Sequence, residues 1–418
     1  MPLSATDWQR EIYLKGFAGE KLSVSIDLTS LEQRAKSVLT TRAFDYIAGG
    51  AGLEHTVSRN RSAFDQYKII PRMLNDVSER DTSVNILGTS LQIPLLLSPV
   101  GVLELAHHHA DLAVGRAAAA TGIPFIFSNQ ASVPMESVAA GMGDSPRWFQ
   151  MYWSKSRDLV ASFARRAEAW GCSAIIVTLD TTLLGWRSRD LDQAYLPFLE
   201  GKGIAQYTSD PVFQRLMDEP GDARPLKQKA TLHSIAGLMK MTRAYPGGNF
   251  IGKLLSGRPR KAVQKFVSIY SNPALTWNDL SFLRNNTKLP ILLKGILHPD
   301  DASKAIDHGM NGIVISNHGG RQVDGAVATL DVLPKISDVV KKRVPLLLDG
   351  GIRGGADMFK AIALGADAVC IGRPYAYGLA IAGEKGVYEV IRNFMADFEF
   401  TMALSGCKDI KDISTFSL

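Results

Sequence analysis

The sequence predicts a (β/α)8 barrel with an N-terminal helical arm and a long insertion after the fourth strand. Three observations lead to this fold class. Eight short apolar runs follow one another after residue 90, segments of helical periodicity separate them, and polar residues end most of the runs. Runs that are apolar throughout are typical of parallel strands covered on both faces. A doubly wound open sheet is the alternative, but no G-x-G-x-x-G motif opens a helix after an early strand.

The alternation of the two patterns gives the order of the elements. The predicted strands occupy residues 93–100, 124–129, 148–153, 174–180, 290–296, 312–318, 345–350 and 368–373. Helix-period apolar positions fill residues 157–170, 300–308, 330–342 and 356–364 between them. Glycine stands where several of these helices should end, at Gly122, Gly171, Gly309 and Gly365. Eight consecutive βα units of this kind form a closed barrel.

Two regions exceed what a barrel requires. Residues 1–90 precede the first strand and form the predicted arm, which we expect to complete the active site. Asp180 and Lys294, at the ends of strands 4 and 5, are 114 positions apart, whereas one βα unit takes about 31 residues. We therefore expect the barrel over 91–400, a lid-like insertion at about 188–275, and a C-terminal tail over 401–418.

Composition excludes several classes of protein. The chain has 418 residues, 46% of them apolar and 21% charged, so it can bury a large core. Its net charge of +6 is concentrated in residues 201–265, which hold twelve Lys or Arg against four Asp or Glu. No nucleic-acid-reading motif accompanies this basic segment, so nucleic-acid binding is not expected. Without a long apolar run, a secretory signal or paired cysteines, we expect a cytoplasmic protein that does not enter a membrane.

Two glycine-rich loops follow the last two strands. Asp349 to Gly355 read DGGIRGG after strand 7, and Ile371 to Pro374 read IGRP after strand 8. Glycine lets the backbone approach an anion closely, and the helix that follows offers free N–H groups. Arg353 and Arg373 add charged donors. Because the loops after strands 7 and 8 commonly bind phosphate in this fold, a phosphate group is predicted here.

Titratable side chains end the other strands. His318 lies after strand 6 in the sequence SNHGGRQ, and Asp180 ends strand 4 on the same rim. A carboxylate beside an imidazole stabilises its charged form, which suits a general base. Arg187 and Arg321 could each hold a carboxylate with two parallel hydrogen bonds. These residues predict an enzyme in which a general base takes a proton from a substrate that carries a carboxylate group.

These residues and their contexts resemble the family of FMN-dependent L-2-hydroxy acid oxidases and dehydrogenases. The resemblance extends from RAFDYIAGGA at Arg42 to TMALSGCK ending at Lys408, and SNHGGRQ is its most specific motif. The segment GWRSRDLDQAYLPFL, which begins at Gly185, is most similar to bacterial lactate 2-monooxygenase. The resemblance implies FMN as cofactor, a small 2-hydroxy acid and O2 as substrates, and a homotetramer or higher homo-oligomer.

The resemblance also implies roles for individual residues. The expected catalytic residues are His318, Asp180, Tyr152 and Arg321. The expected substrate-binding residues are Tyr46, Tyr152, Arg187, His318 and Arg321. The expected FMN-binding residues are Pro99, Val100, Gly101, Ser128, Gln150, Thr178, Lys294, Ser316, Asp349, Gly351, Arg353, Gly372 and Arg373.

Two positions depart from the family pattern. Gln130 stands after strand 2 where glycolate oxidase-like members have tryptophan, which argues against bulky aryl substrates. Gly354 follows Arg353 where many members have a second arginine, which weakens the phosphate site slightly. A metal site is not predicted. His107, His108 and His109 are consecutive, and side chains one residue apart in a helix diverge by about 100°, so we expect them not to converge.

The most specific hypothesis is an L-lactate 2-monooxygenase that converts lactate to acetate, CO2 and water. An oxidase that releases the 2-oxo acid and H2O2 is the alternative. An FMN barrel of different chemistry, such as an isomerase or a nitronate-oxidising enzyme, and a non-catalytic phosphate binder are more remote. The different FMN chemistry gives no reason for the two arginines that accompany His318, and the intact rim of polar residues argues against the non-catalytic binder.

Overall fold

The computed structural model describes residues 4–219 and 231–418. Within these ranges eight parallel strands close into a barrel, which confirms the predicted fold class. A two-stranded antiparallel hairpin precedes it. The hairpin strands are β1 (Val84–Ile86) and β2 (Thr89–Leu91). The barrel strands are β3 (Leu95–Leu97), β4 (Phe125–Phe127), β5 (Arg147–Tyr152), β6 (Ile175–Thr178), β7 (Ile291–Ile296), β8 (Gly312–Ser316), β9 (Leu346–Asp349) and β10 (Ala368–Ile371).

Seven of the eight barrel strands lie inside a predicted apolar run, and β5 begins one residue before its run, at Arg147. Both faces of the barrel strands are largely buried. Alternate residues point inward and form one core layer, which includes Ile126, Trp148, Ile176 and Leu347. The other residues point outward against the helices. A one-residue slip would exchange the two sets, so the side-chain volumes fix the register.

The helices before the insertion are α1 (Ala5–Phe17), α2 (Leu28–Val38), α3 (Thr41–Ala48), α4 (His55–Ser62), α5 (Ala110–Thr121), α6 (Met135–Met142) and α7 (Arg157–Ala169). Those of the insertion are α8 (Ser188–Asp192), α9 (Ala205–Thr208), α10 (Pro211–Leu216), α11 (Leu232–Ala244), α12 (Phe250–Ser256) and α13 (Arg258–Ile269). The remaining helices are α14 (Leu280–Arg284), α15 (Pro299–Asp307), α16 (Thr329–Val340), α17 (Gly355–Ala363), α18 (Arg373–Leu404) and α19 (Ile410–Ser414). None of these helices in the described ranges has the length and apolar character needed to span a bilayer.

The N-terminal arm differs from the expected all-helical segment, because it ends in the β1–β2 hairpin. Ile86 and Leu91 of this hairpin pack against the inner layer of the barrel at the amino-terminal ends of its strands. The helical part of the arm contacts α18 through α1, α2 and α3. Helix α18 continues to Leu404, past the predicted boundary at residue 400, because Phe398 and Met402 remain in the main core.

The insertion has a packed beginning and a more exposed end. Phe198, Tyr207 and Phe213 are buried in the main core, where Tyr207 meets Phe266 edge to face. By contrast, α11 and α12 present exposed Leu232, Ile235, Ile251 and Leu255. The basic segment of the sequence extends into residues 220–230, which lie outside the described ranges. None of the described residues of 188–275 lines the cavity described below.

Candidate active site

The carboxyl ends of the barrel strands open into a cavity of about 1030 Å³. This is the end at which enzymes of this fold build their active sites. Most of the predicted site residues line it: Tyr46, Pro99, Val100, Gly101, Tyr152, Arg187, Lys294, His318, Arg321, Asp349, Gly351, Arg353, Gly372 and Arg373. The barrel thus brings these fourteen residues together around one cavity.

The other predicted residues lie behind this lining. Ser128, Gln150, Thr178, Asp180 and Ser316 are not part of the cavity wall. Gln150 Oε1 accepts a hydrogen bond from the backbone N–H of Asn129 at 3.1 Å. Gln150 Nε2 and Thr178 Oγ1 are buried without a hydrogen-bond partner in the described part of the chain. Buried polar atoms are normally satisfied, so these two are available to a bound ligand.

The end of β8 and the loop after β6 bring an imidazole against a carboxylate. His318 Nδ1 lies 2.7 Å from Asp180 Oδ1. Thr181 Oγ1 donates to the same oxygen at 2.8 Å and lies 3.2 Å from the imidazole nitrogen. The loop is tight because a side chain at Gly295 would place its Cβ 2.9 Å from Asp180 Cβ. The carboxylate fixes the hydrogen of His318 on Nδ1, which leaves Nε2 as the free acceptor.

The electrostatics of this pair favour a neutral base beside an ionised carboxylate. Burial lowers the pKa of His318, and although Asp180 opposes this shift, Lys294 and Arg187 reinforce it. Burial alone would raise the pKa of Asp180, but His318 and Lys294 together lower it to about 2. At neutral pH the imidazole is therefore uncharged and can accept a proton.

Two arginines and two tyrosines surround the same part of the cavity. Tyr46 comes from α3 of the arm, and the Arg321 guanidinium lies 5.2 Å from the centre of its ring. Burial, with Arg187 and Arg373 nearby, lowers the pKa of Arg321. Burial also raises the pKa values of Tyr46 and Tyr152, so both remain hydrogen-bond donors at neutral pH. Clustered, desolvated guanidinium groups favour the entry of an anion.

A second polar cluster adjoins the first, because the backbone N–H of His318 donates to Ser316 Oγ at 3.0 Å. Lys294 Nζ is 2.9 Å from Asp349 Oδ2 and 2.8 Å from Ser316 Oγ. The hydroxyl groups of Ser98 and Ser316 each donate a hydrogen bond to the Asp349 carboxylate at 2.7 Å. Burial alone would raise the pKa of Asp349, but the charge of Lys294 lowers it. Burial alone would lower the pKa of Lys294, but the charge of Asp349 raises it. The lysine is therefore a permanent cation at the cavity wall.

The glycine-rich loop after β9 has little room for side chains. Gly351 has a φ of +81°, and a Cβ there would lie 2.1 Å from Asn60 O. Arg353 of this loop is partly buried, and desolvation lowers its pKa. Arg373 donates to the carbonyl oxygens of Gly49 and Gly319 at 3.0 Å. Arg373 therefore joins the arm to the barrel while its side chain also lines the cavity.

The prediction from sequence missed several residues of the site. Ser98 ends β3 on the same rim, and the rule that selected the other strand ends would have found it. Thr181 directly follows the predicted Asp180 and contacts both members of the imidazole–carboxylate pair. Gln130, noted in the sequence only as a departure, lines the cavity. Leu184 also lines it, and no sequence signal distinguishes this residue from other loop leucines.

The expected divergence of His107, His108 and His109 is wrong. One ring nitrogen of each lies within 4.8 Å of those of the others. The reason is that the three residues form a turn before α5, which begins only at Ala110, so helical geometry does not apply. His107 Nδ1 already accepts a hydrogen bond from the His109 N–H at 3.2 Å.

Comparison with protein families gives one match over most of the chain. The model described as "FMN-dependent dehydrogenase" matches residues 35–418. A similar protein named "L-lactate oxidase" from Lysinibacillus sphaericus is 39% identical, covering 94% of this chain and 92% of that protein. "2-Hydroxyacid oxidase 1" of Homo sapiens is 37% identical, over 93% of this chain and 95% of that protein.

Solved structures show the same architecture. The crystal structure of mandelate oxidase with (S)-4-hydroxymandelic acid is 34% identical to this chain, with a TM-score of 0.77. The alignment covers 94% of this chain and 98% of that structure. A structure titled simply as that of mandelate oxidase gives a TM-score of 0.76 at 33% identity.

Proposed function

The chain belongs to the FMN-dependent dehydrogenase family and is an FMN-dependent oxidoreductase, and from this premise we propose that it oxidises a small L-2-hydroxy acid, L-lactate, with O2. One observation carries the proposal. A neutral imidazole paired with Asp180 faces the same cavity as Arg187 and Arg321, so a proton acceptor and a carboxylate-binding site lie together. The names of the similar proteins support the class of substrate.

The residues of the cavity fit FMN. Its phosphate would be held by the loops that carry Gly351, Arg353, Gly372 and Arg373. Its ring carries carbonyl and imino groups, which would satisfy the unpartnered Gln150 Nε2 and Thr178 Oγ1. The remaining contacts are proposed for Pro99, Val100, Gly101, Ser128, Lys294, Ser316 and Asp349. When bound, FMN supplies the two-electron acceptor of the reaction.

The substrate carboxylate would be bound by Arg187 and Arg321, whose guanidinium groups line the cavity. The hydroxyl groups of Tyr46 and Tyr152 would donate hydrogen bonds to the substrate oxygens. Gln130 makes this part of the wall polar and favours a small aliphatic acid over an aryl one. These contacts orient the substrate carbon that carries the hydroxyl group.

His318 would accept one substrate proton at Nε2, and Asp180 would stabilise the imidazolium that forms. Both the Cα proton and the hydroxyl proton are candidates. Lys294 places its positive charge at the wall, where it would stabilise negative charge that develops in the reaction. Catalytic roles are thus proposed for His318, Asp180, Tyr152 and Arg321.

The overall reaction that we propose is the monooxygenase reaction, in which lactate and O2 give acetate, CO2 and water. In this reaction the oxo acid stays in the site until peroxide reacts with it, whereas an oxidase releases the oxo acid and H2O2. The loop of Leu184 and Arg187 supports retention, because it is tied to the arm through hydrogen bonds of Trp186 and Ser188 with Gly52. A cationic cavity also holds an anionic product longer.

A second candidate is the oxidase reaction, in which lactate and O2 give pyruvate and H2O2. The name of the lactate oxidase from Lysinibacillus sphaericus favours it. We also propose a homotetramer, which light scattering on the purified protein would test.

Product analysis tests the proposal. The purified protein is incubated in air with L-lactate, and acetate, CO2, pyruvate and H2O2 are measured. Acetate with CO2 and without free peroxide supports the monooxygenase, whereas pyruvate with stoichiometric peroxide supports the oxidase. His318→Gln should retain yellow FMN that L-lactate does not bleach without air. His298→Gln changes an exposed histidine of another loop and should bleach normally. Normal bleaching of His318→Gln would contradict the assignment.

A further inference from the structure

Gln322 connects the segment of Arg321 with the loop that carries Asp180 and Arg187. It directly follows Arg321, and its side chain reaches the loop that runs from Asp180 to Arg187. Its Nε2 donates to Asp180 O at 2.6 Å and to Leu183 O at 2.9 Å. Its Oε1 accepts from Gly185 N at 3.2 Å and from Arg187 Nη2 at 3.4 Å. One side chain therefore bonds four residues of a single loop.

These four bonds use the full hydrogen-bonding capacity of an amide, which has two donor hydrogens and two acceptor lone pairs. The partners also fix its orientation, because two are carbonyl oxygens and two are N–H groups. A side chain that is shorter, that is apolar, or that can only donate or only accept could not make these four hydrogen bonds. Glutamate would place an acceptor against the carbonyl oxygens of Asp180 and Leu183.

The loop lies very close to this residue. A Cβ at Gly185 would be 2.4 Å from Arg321 O and 2.8 Å from Gln322 Cα. Arg187 Nε also donates to Arg321 O at 3.4 Å. The position of Arg187 relative to Arg321 is thus set by direct contacts between their two backbone segments and by the amide of Gln322.

We propose that Gln322 is a positioning residue that fixes Arg187 in one loop geometry, so that the carboxylate-binding site is formed before the substrate enters. The inference rests on the proposed function, since it takes Arg187 as a carboxylate ligand. A preformed pair of arginines binds an anion without the cost of ordering the loop. Loss of the amide should therefore weaken carboxylate binding more than it changes the chemical step.

The test uses the FMN-loaded full-length protein and oxalate as a carboxylate probe that the protein need not turn over. Oxalate affinity is measured by calorimetry for the wild type, Gln322→Met, Arg187→Met and the double variant. Gln322→Met should weaken oxalate binding about tenfold or more. It should raise the KM for L-lactate by a similar factor and change kcat much less. The double variant should bind oxalate within about twofold of Arg187→Met, because both substitutions act on the same contact between Arg187 and oxalate.

Gln214→Met is the matched control. Gln214 donates to Thr208 O and accepts from Tyr245 and Arg258 in the insertion, so its loss removes a similar set of bonds away from the cavity. It should lower the melting temperature without changing oxalate affinity. Should Gln322→Met not fold, Gly185→Ala perturbs the same contact from the loop side and should show the same non-additivity with Arg187→Met.

Three outcomes would overturn the inference. They are oxalate affinity of Gln322→Met within twofold of the wild type, multiplicative effects of Gln322→Met and Arg187→Met, and an equal effect of Gln214→Met. Failure of the proposed function looks different. In that case L-lactate and other L-2-hydroxy acids leave the wild-type flavin unbleached, whatever the oxalate affinities of the variants.

Discussion

Replacement of Asp180 by asparagine tests the central pair of the site. The change removes a negative charge 2.7 Å from His318 Nδ1 and keeps the size of the side chain. A hydrogen bond to a charged group contributes about 1.5–3 kcal/mol, which corresponds to a factor of roughly 10–150 in rate if it is lost only when the imidazolium forms. This factor is the minimum, because it applies when the asparagine oxygen still faces the imidazole.

The asparagine amide can also turn its nitrogen toward His318. Nδ1 would then accept a hydrogen bond, the proton would move to Nε2, and the free acceptor would be lost. The same substitution in a Ser-His-Asp triad costs about 10⁴ for this reason. We therefore expect flavin reduction by L-lactate to slow by roughly 10²–10⁴ in Asp180→Asn.

The assay is anaerobic stopped-flow mixing with L-lactate, followed by the decay of flavin absorbance, with the ratio of FMN to protein measured for each variant. Asp210→Asn is the control, since Asp210 is a buried carboxylate paired with Arg166 at 2.9 Å and lies outside the cavity lining. It should lose stability and keep its rate. A rate for FMN-loaded Asp180→Asn within about threefold of the wild type would refute the reasoning, because the charge would then contribute less than one hydrogen bond.

Three further predictions concern the loops, the pH profile and the lysine. Gly351→Ala should lose FMN and stability, because the new Cβ would meet Asn60 O. Gly325→Ala is the control, since Gly325 has a similar φ of +79° and open space around it, and its free energy of unfolding should fall by only about 1 kcal/mol. Equal losses of stability in the two variants would contradict this prediction. The pKa of His318 is lowered, so the imidazole is neutral above that pKa, and the rate of flavin reduction should fall only below pH 6.5; a midpoint above 7 would contradict the assignment. Lys294→Met should cost about 3–5 kcal/mol in urea unfolding at pH 7, because the Asp349 carboxylate loses its partner. The pKa of Asp349 is lowered from 3.8 in the folded protein, so the contribution of the pair is complete above pH 3.8 and is lost as the pH falls through the lowered value. The cost of Lys294→Met should therefore shrink only below about pH 3.8, and a cost that stays constant there would be evidence against this pairing.

The fold and much of the site were predictable because both depend on local pattern. Each of the eight apolar runs contains a barrel strand, to within one residue at Arg147, because parallel strands buried on both faces require apolar residues throughout. The helix predicted over residues 157–170 is Arg157–Ala169, where Ser156 caps the first turn by accepting from Leu159 N. The site residues at strand ends follow from the barrel itself, because all parallel strands end at one rim.

Other features depend on contacts between distant segments. The hairpin of Ile86 and Leu91 has only three residues in each strand, too few for a periodic signal, and it is stabilised by the barrel layer that it covers. The burial of Tyr207 in the insertion depends on Phe163 and Phe266, which lie 44 and 59 positions away in the chain. Glycine and aromatic content alone suggested a lid there, because composition does not reveal which side of a segment packs.

The sequence by itself determined the barrel, its rim of polar residues and the two glycine-rich loops, because hydrophobic periodicity and the backbone freedom of glycine act over a few residues. Only the tertiary structure decided how the rim works. The 2.7 Å contact of His318 with Asp180 and the four bonds of Gln322 join residues more than 130 positions apart. The direction of each pKa shift likewise follows from burial and from neighbouring charges, which exist only once the barrel has closed.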